Sequence, residues 1–177
     1  MADTTFCDSD QPDYVTRECG TDFAGIVGIG LVPLDETPTD EELESETYWS
    51  DATAASPSII HVIPNTRGEY PGGTPTEEEG FGTESTRVTG ADHAATVEVE
   101  GLIENRDFWE GANRKRWKVA LVTAGGLLYW ITDPVSVYAK INNQRSTKGM
   151  AFWAIDLKWQ NFSNPVVLNA PEGIFTV

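Results

Sequence analysis

Residues 117–141 read WKVALVTAGGLLYWITDPVSVYAKI. Two runs of apolar, β-branched and aromatic residues, Trp117–Thr123 and Leu127–Thr132, flank Ala124-Gly125-Gly126, which is the pattern of two strands joined by a tight hairpin. Asp133-Pro134 is a turn signal and predicts a break before a third strand, Val135–Ile141. Ala151–Trp159 then alternates cleanly. Trp153, Ile155, Leu157 and Trp159 share one face, and Phe152, Ala154, Asp156 and Lys158 share the other. Pro165–Leu168 reads as a last edge piece. Upstream, Ala94–Ile103 sets Val97, Val99 and Ile103 against Thr96, Glu98 and Glu100, the pattern of a half-solvated strand.

Outside that block the signals are sparser. Ala24–Val32 is apolar, is punctuated by Gly25, Gly28 and Gly30, and is closed by Pro33. It reads as a buried strand with close backbone approach. Thr39 with Glu42 three residues on is a capping box and predicts a short exposed helix near 40–48. Ser58–Ile63 is a short strand ended by Pro64. Asp107-Phe108-Trp109-Glu110 is a second capping-box pattern. With Arg114, Lys115 and Arg116 following, acids precede bases in the order that suits a helix dipole, over roughly 107–115. The segment of about 64–90 is rich in Gly, Pro, Thr and Glu and predicts a long interaction loop. The sum is about seven strands and one or two short helices, hence a mainly β fold: an antiparallel β-sandwich or barrel with flanking helices and long loops. The domain plan is an extended acidic arm, 1–22, and one β-rich domain, 23–177.

Charge divides the chain. Of 28 acids and 12 bases among 177 residues, residues 1–86 hold 19 acids but only Arg17 and Arg67, net −17; residues 87–177 hold 9 acids and 10 bases, net +1. A net charge of −16 argues against a nucleic-acid clamp or an anionic-membrane binder. No apolar run approaches the about 18–20 residues that span a bilayer. The opening residues lack the basic and apolar regions of a signal peptide, so secretion by that route is not expected.

Catalytic and metal patterns are weak. Cys7 and Cys19 leave three readings open: free thiols, a disulfide pinning the arm, or half of a zinc site that His61 and His93 are badly spaced to complete. No G-x-S-x-G or H-E-x-x-H accompanies either histidine, so both read as structural. The acidic clusters Asp40-Glu41-Glu42 and Glu77-Glu78-Glu79 lack the spacing of a calcium loop and read as solvated surface. Gly25-Ile-Val-Gly-Ile-Gly30 has the wrong order for a dinucleotide loop and is followed by Pro33 rather than by a helix. Asn161-Phe162-Ser163 is a chance glycosylation triplet. The chain is expected to be no enzyme and to hold no cofactor and no metal. A carbohydrate-binding sandwich would use exposed aromatics such as Trp130, Tyr138 and Trp153; core packing accounts for them better.

Resemblance enters through five stretches: Phe108-Trp109; Arg116–Thr123 with Gly125–Tyr129; Leu157-Lys158-Trp159-Gln160; and Asn169–Phe175. Together they resemble small virion structural proteins of tailed bacteriophages, of tail-tube type, over roughly residues 87–177. The resemblance implies a β-sandwich or barrel with a flanking helix, assembled as rings, usually hexameric, around a channel. The protein would then belong to the virion, most readily its tail, and be assembled in the host cytoplasm. Its partners would be itself and other virion proteins, and DNA would pass without specific binding. A head decoration, head–tail connector or fibre-associated protein is the alternative. In this frame Glu98 and Glu100 are candidate lumen-wall residues. Tyr70, Glu77, Glu78, Glu79, Phe81, Arg114, Lys115 and Arg116 are candidate inter-subunit contacts, the acidic half of one copy meeting the basic run of another.

Overall fold

A computed structural model describes residues 25–55, 58–79, 86–143 and 151–175. The expected 1–22 arm, Cys7, Cys19 and Phe81 lie outside the described residues. Nine strands and three short helices are described: β1 (Ile26–Val32), α1 (Asp40–Leu43), α2 (Glu46–Ala54), β2 (His61–Ile63), β3 (Arg67–Glu69), β4 (Gly73–Glu79), β5 (Thr86–Val99), α3 (Arg106–Ala112), β6 (Arg116–Thr123), β7 (Leu127–Asn143), β8 (Ala151–Gln160) and β9 (Val166–Asn169). The fold is mainly β, and every described strand pair is antiparallel. The strands belong to one sheet whose pairing path returns to its start, through β1, β3, β5, β8, β7, β6 and back to β1. β2 extends the β1 edge, β4 runs along β5 beyond β3, and β9 adds to β7.

Period-2 alternation explains two cores. Ile29 and Leu31 of β1, Val97 of β5, Val119 and Leu121 of β6, Val137 of β7, and Ile155 and Leu157 of β8 pack together with Trp109 of α3. The opposite faces of β1, β6 and β7 supply Val32, Ala120, Val122, Leu128 and Trp130. These pack against Leu43, Trp49 and Phe175. β1 and β6 are therefore apolar on both faces, as expected of strands covered from two sides. The glycines of β1 make the second core fit. A Cβ on Gly28 would sit 2.7 Å from Phe175, and one on Gly30 would sit 2.6 Å from the Trp49 ring. The Gly25–Gly30 pattern is thus a floor for two aromatic rings.

The capping box of α1 forms as the sequence predicts: the Glu42 backbone N–H donates to Thr39 Oγ1 and the Thr39 backbone N–H donates to the Glu42 carboxylate. The expected helix at 40–48 is two helices, Ser45 standing at the N-cap position of the second without a side-chain cap hydrogen bond. Four other expectations are corrected. Asp133-Pro134 does not end a strand. β7 runs through it, spending four residues (Ile131 to Val135) where β6 spends two (Val119 to Trp117), so the missing proline N–H falls in a bulge. Ile103 is 87% exposed in the turn after β5 rather than on its apolar face. Helix α3 ends at Ala112, its N-cap is Asn105, and Arg114–Arg116 follow it instead of completing its last turn. The described parts of the 64–90 segment, 64–79 and 86–90, are largely strand rather than loop. β3 and β4 pair in turn with β5 to make a long hairpin, interrupted by Tyr70-Pro71-Gly72.

Candidate functional site

That hairpin has two different halves. β5 pairs with β8 from Asp92 to Val99, and β3 flanks it at Thr96–Glu98. From Thr86 to Gly90 its described strand partner is β4 alone. Thr74 through Glu78 on β4, and Val88 and Thr89 on β5, are exposed. The far half is a polar two-stranded ribbon.

The junction between the halves is locked by stacked rings. Tyr70, expected among inter-subunit contacts, is half-buried against its own core. Its ring stacks on His93 and Trp159, with centroids 6.1 and 5.4 Å away, and His93 lies flat on Trp159 at 5.1 Å and 8°. His93 is 3% exposed. Its Nε2 lies 3.1 Å from the Asn161 carbonyl oxygen, which only accepts, so the proton sits on Nε2. Nδ1 then accepts from the Tyr70 hydroxyl at 2.7 Å. Burial, and secondarily Tyr129, hold the Tyr70 phenol above its ordinary range, which keeps that donor protonated. Both imidazole nitrogens are committed, so this histidine has no lone pair to offer a substrate. A Cβ at position 73 would collide with the His93 ring, which is why the strand passes it as glycine.

The sequence-predicted site residues fall in three places. Glu98 faces outward from β5, but Arg67 reaches it at 2.6 Å. Two strands away Lys140 binds Asp156 at 2.7 Å, which raises the lysine's basicity. On the outer face of β3, β5, β8 and β7, Glu98 and Asp156 are thus each paired with a cation, while Lys158 on the same face of β8 is exposed. Glu100 lies one residue past β5 and is exposed. Glu77 and Glu78 are exposed on the ribbon, and Glu79 is its last β4 residue. Arg114, Lys115 and Arg116 are exposed between α3 and β6, with the Lys115 ammonium 5.8 Å from the Trp117 ring centroid. Arg116 and Lys158 border an open groove of about 670 Å³ beside Asp92 and Asp133, near the ribbon's base.

A second hollow, of about 450 Å³, opens at the other end of β5, between β2 and α3. Ile60, Ile63, Val99, Phe108 and Trp109 give it apolar walls. His61 beside it meets Phe108 edge-on at 5.0 Å and Trp117 at 5.7 Å. Burial, then the charge of Lys115, lower its basicity, so it is neutral at neutral pH. Trp109 is 1% exposed and its indole N–H has no hydrogen-bond partner among the described residues. Among the described residues no group of three or more metal-ligating side chains converges. Trp130 and Trp153 are 4% and 5% exposed, so neither offers a sugar platform; Tyr138, at 59%, stands exposed on the outer face. No helix among the described residues is long and apolar enough to cross a membrane.

The stack of Tyr70, His93 and Trp159 was not foreseen as a unit. Its signal was available only in part, since Trp159 sits on the apolar face of its strand. Comparison with family models, curated proteins and solved structures gave no match.

Proposed function

We propose that the chain is a non-enzymatic structural subunit that assembles with copies of itself, of the tail-tube type suggested by the resemblance over residues 87–177. One observation carries the reading: a polar hairpin ribbon, anchored at its base by buried rings, projects beyond the sheet that pairs with the rest of its strand. A two-stranded ribbon is marginal by itself in water. Thr74–Glu78 bury little, so neighbouring subunits supply the contacts that fix it. The ribbon's acids and the exposed Arg114–Arg116 give one subunit both halves of a complementary, head-to-tail contact.

The reading also accommodates DNA passage. A channel wall must not grip phosphate, and binding would need clustered, unpaired cations. Arg67 and Lys140 on the outer sheet face are both neutralised by carboxylates. Pairing of Arg67 with Glu98 and of Lys140 with Asp156 reduces the free cationic charge on this face, where an acidity was first assigned to Glu98.

Negative-stain microscopy of the purified protein across concentration, with light-scattering mass, tests the proposal. Rings or stacked tubes with six copies per layer support it. Trimers or twelvefold rings favour the head-decoration or connector reading. A monomer at every concentration, alone and with isolated tail initiators, contradicts self-assembly.

A further inference from the structure

The hollow between β2 and α3 lies at the opposite end of β5 from the ribbon. Val99, on its wall, is 13 residues beyond Thr86, where the ribbon's second strand begins; that is about 40 Å of extended strand. Residues 80–85, Gly-Phe-Gly-Thr-Glu-Ser, join Glu79 to Thr86. Six residues tied at both ends reach only about 10–15 Å from their anchors. They cannot enter the hollow of their own subunit, but they can enter that of the next one in a head-to-tail stack.

Three features fit this segment to that hollow. Phe81 is the single large apolar side chain between Gly73 and Thr86, and it is flanked by glycines that let the backbone come close. The hollow of about 450 Å³ includes Ile60, Ile63, Val99 and Phe108 among its lining, a seat for one ring beside polar Asn65 and Asn105. The buried Trp109 indole N–H has no acceptor among the described residues, and an incoming backbone carbonyl would supply one. Charge agrees as well. Glu77, Glu78 and Glu79 precede the segment and Glu84 lies within it, and Lys115 is close enough to His61, on the hollow's wall, to depress that histidine's basicity. Glu100 is the one acid among the hollow's lining residues.

We infer that the segment 80–85 of one subunit docks into the hollow between β2 and α3 of a second copy, with Phe81 as the anchoring side chain. The inference rests on the assembly reading above and names its contact. The contact is heterologous, so it propagates along a stack instead of closing a dimer.

The test uses the full chain with Cys7→Ser and Cys19→Ser. One copy carries Thr83→Cys, which keeps Phe81, and another Thr53→Cys, Thr53 being an exposed residue on the hollow's rim. The two are mixed and treated with a short bis-maleimide. Linked heterodimers, a critical assembly concentration raised about tenfold or more by Phe81→Ala, and a similar loss in the rim-filling Thr53→Trp are the expected results. Thermal melts of both variants exclude misfolding as their cause. If wild-type protein assembles, no heterodimer forms and neither variant alters assembly, the docking is overturned while the assembly reading stands. If wild-type protein never assembles, that reading fails separately, and the docking is judged with a synthetic peptide of residues 76–88. Saturable change of tryptophan fluorescence, absent in Thr53→Trp, supports it; no binding up to about 1 mM overturns it.

Discussion

The two halves of the hairpin share one backbone pattern and differ in everything attached to it. Near its base, Ala95, Val97 and Val99 are buried, and Tyr70 and His93 stack on Trp159. In the far half the two strands still pair, with a register shift between Thr76 and Glu77, but Thr74–Glu78, Val88 and Thr89 stand exposed to water. Backbone pairing alone therefore does not say what holds a strand. The base is held by burial from within the subunit. Thr74–Glu78, Val88 and Thr89 of the far half stand exposed, the feature on which the proposed contact with a neighbour rests.

Substitutions at the base sharpen that contrast, beginning with the most damaging. Trp159→Ala removes the ring on which His93 and Tyr70 rest, from a residue 5% exposed. A loss of about 3–5 kcal/mol is expected in chemical denaturation; an unchanged midpoint would mean the base is not the core. Gly73→Ala forces a methyl against an imidazole pinned by two hydrogen bonds. About 1–3 kcal/mol is expected from overpacking, and no loss would mean the stack yields freely. Tyr70→Phe keeps the ring and deletes the donor to His93 Nδ1. It should cost about 1–2 kcal/mol, because a buried acceptor is left unpaired. The smallest effect belongs to Arg67→Ala. Its partner Glu98 is solvated and the arginine side chain is 83% exposed, so at most about 1 kcal/mol is expected, shrinking further in high salt.

What the sequence disclosed followed the same division. β8 was legible because its apolar face sets a period of two, and β6 because its apolar run ends at the Gly125-Gly126 turn. The Thr39 capping box was legible because both of its partners lie within one turn. The far half of the hairpin was read as loop because Thr, Glu and Gly alternate with no apolar face, leaving periodicity nothing to detect. Asp133-Pro134 was read as a break because a bulge depends on the neighbouring strand, and local sequence does not carry that neighbour. Glu98 was read as a free acid for the same reason. Its partner Arg67 is 31 residues away and reaches it only when β3 pairs with β5. His93 offered a lone histidine to the reader; its commitment to Tyr70 and to the Asn161 carbonyl needed the closed sheet.

The most direct measurement replaces Glu77–Val88 with Gly-Gly and follows thermal stability and assembly mass in parallel. The account predicts a melting curve close to that of the intact chain and no rings or tubes. A collapsed melt would place the far half within the folding unit, and normal assembly would remove its role between subunits.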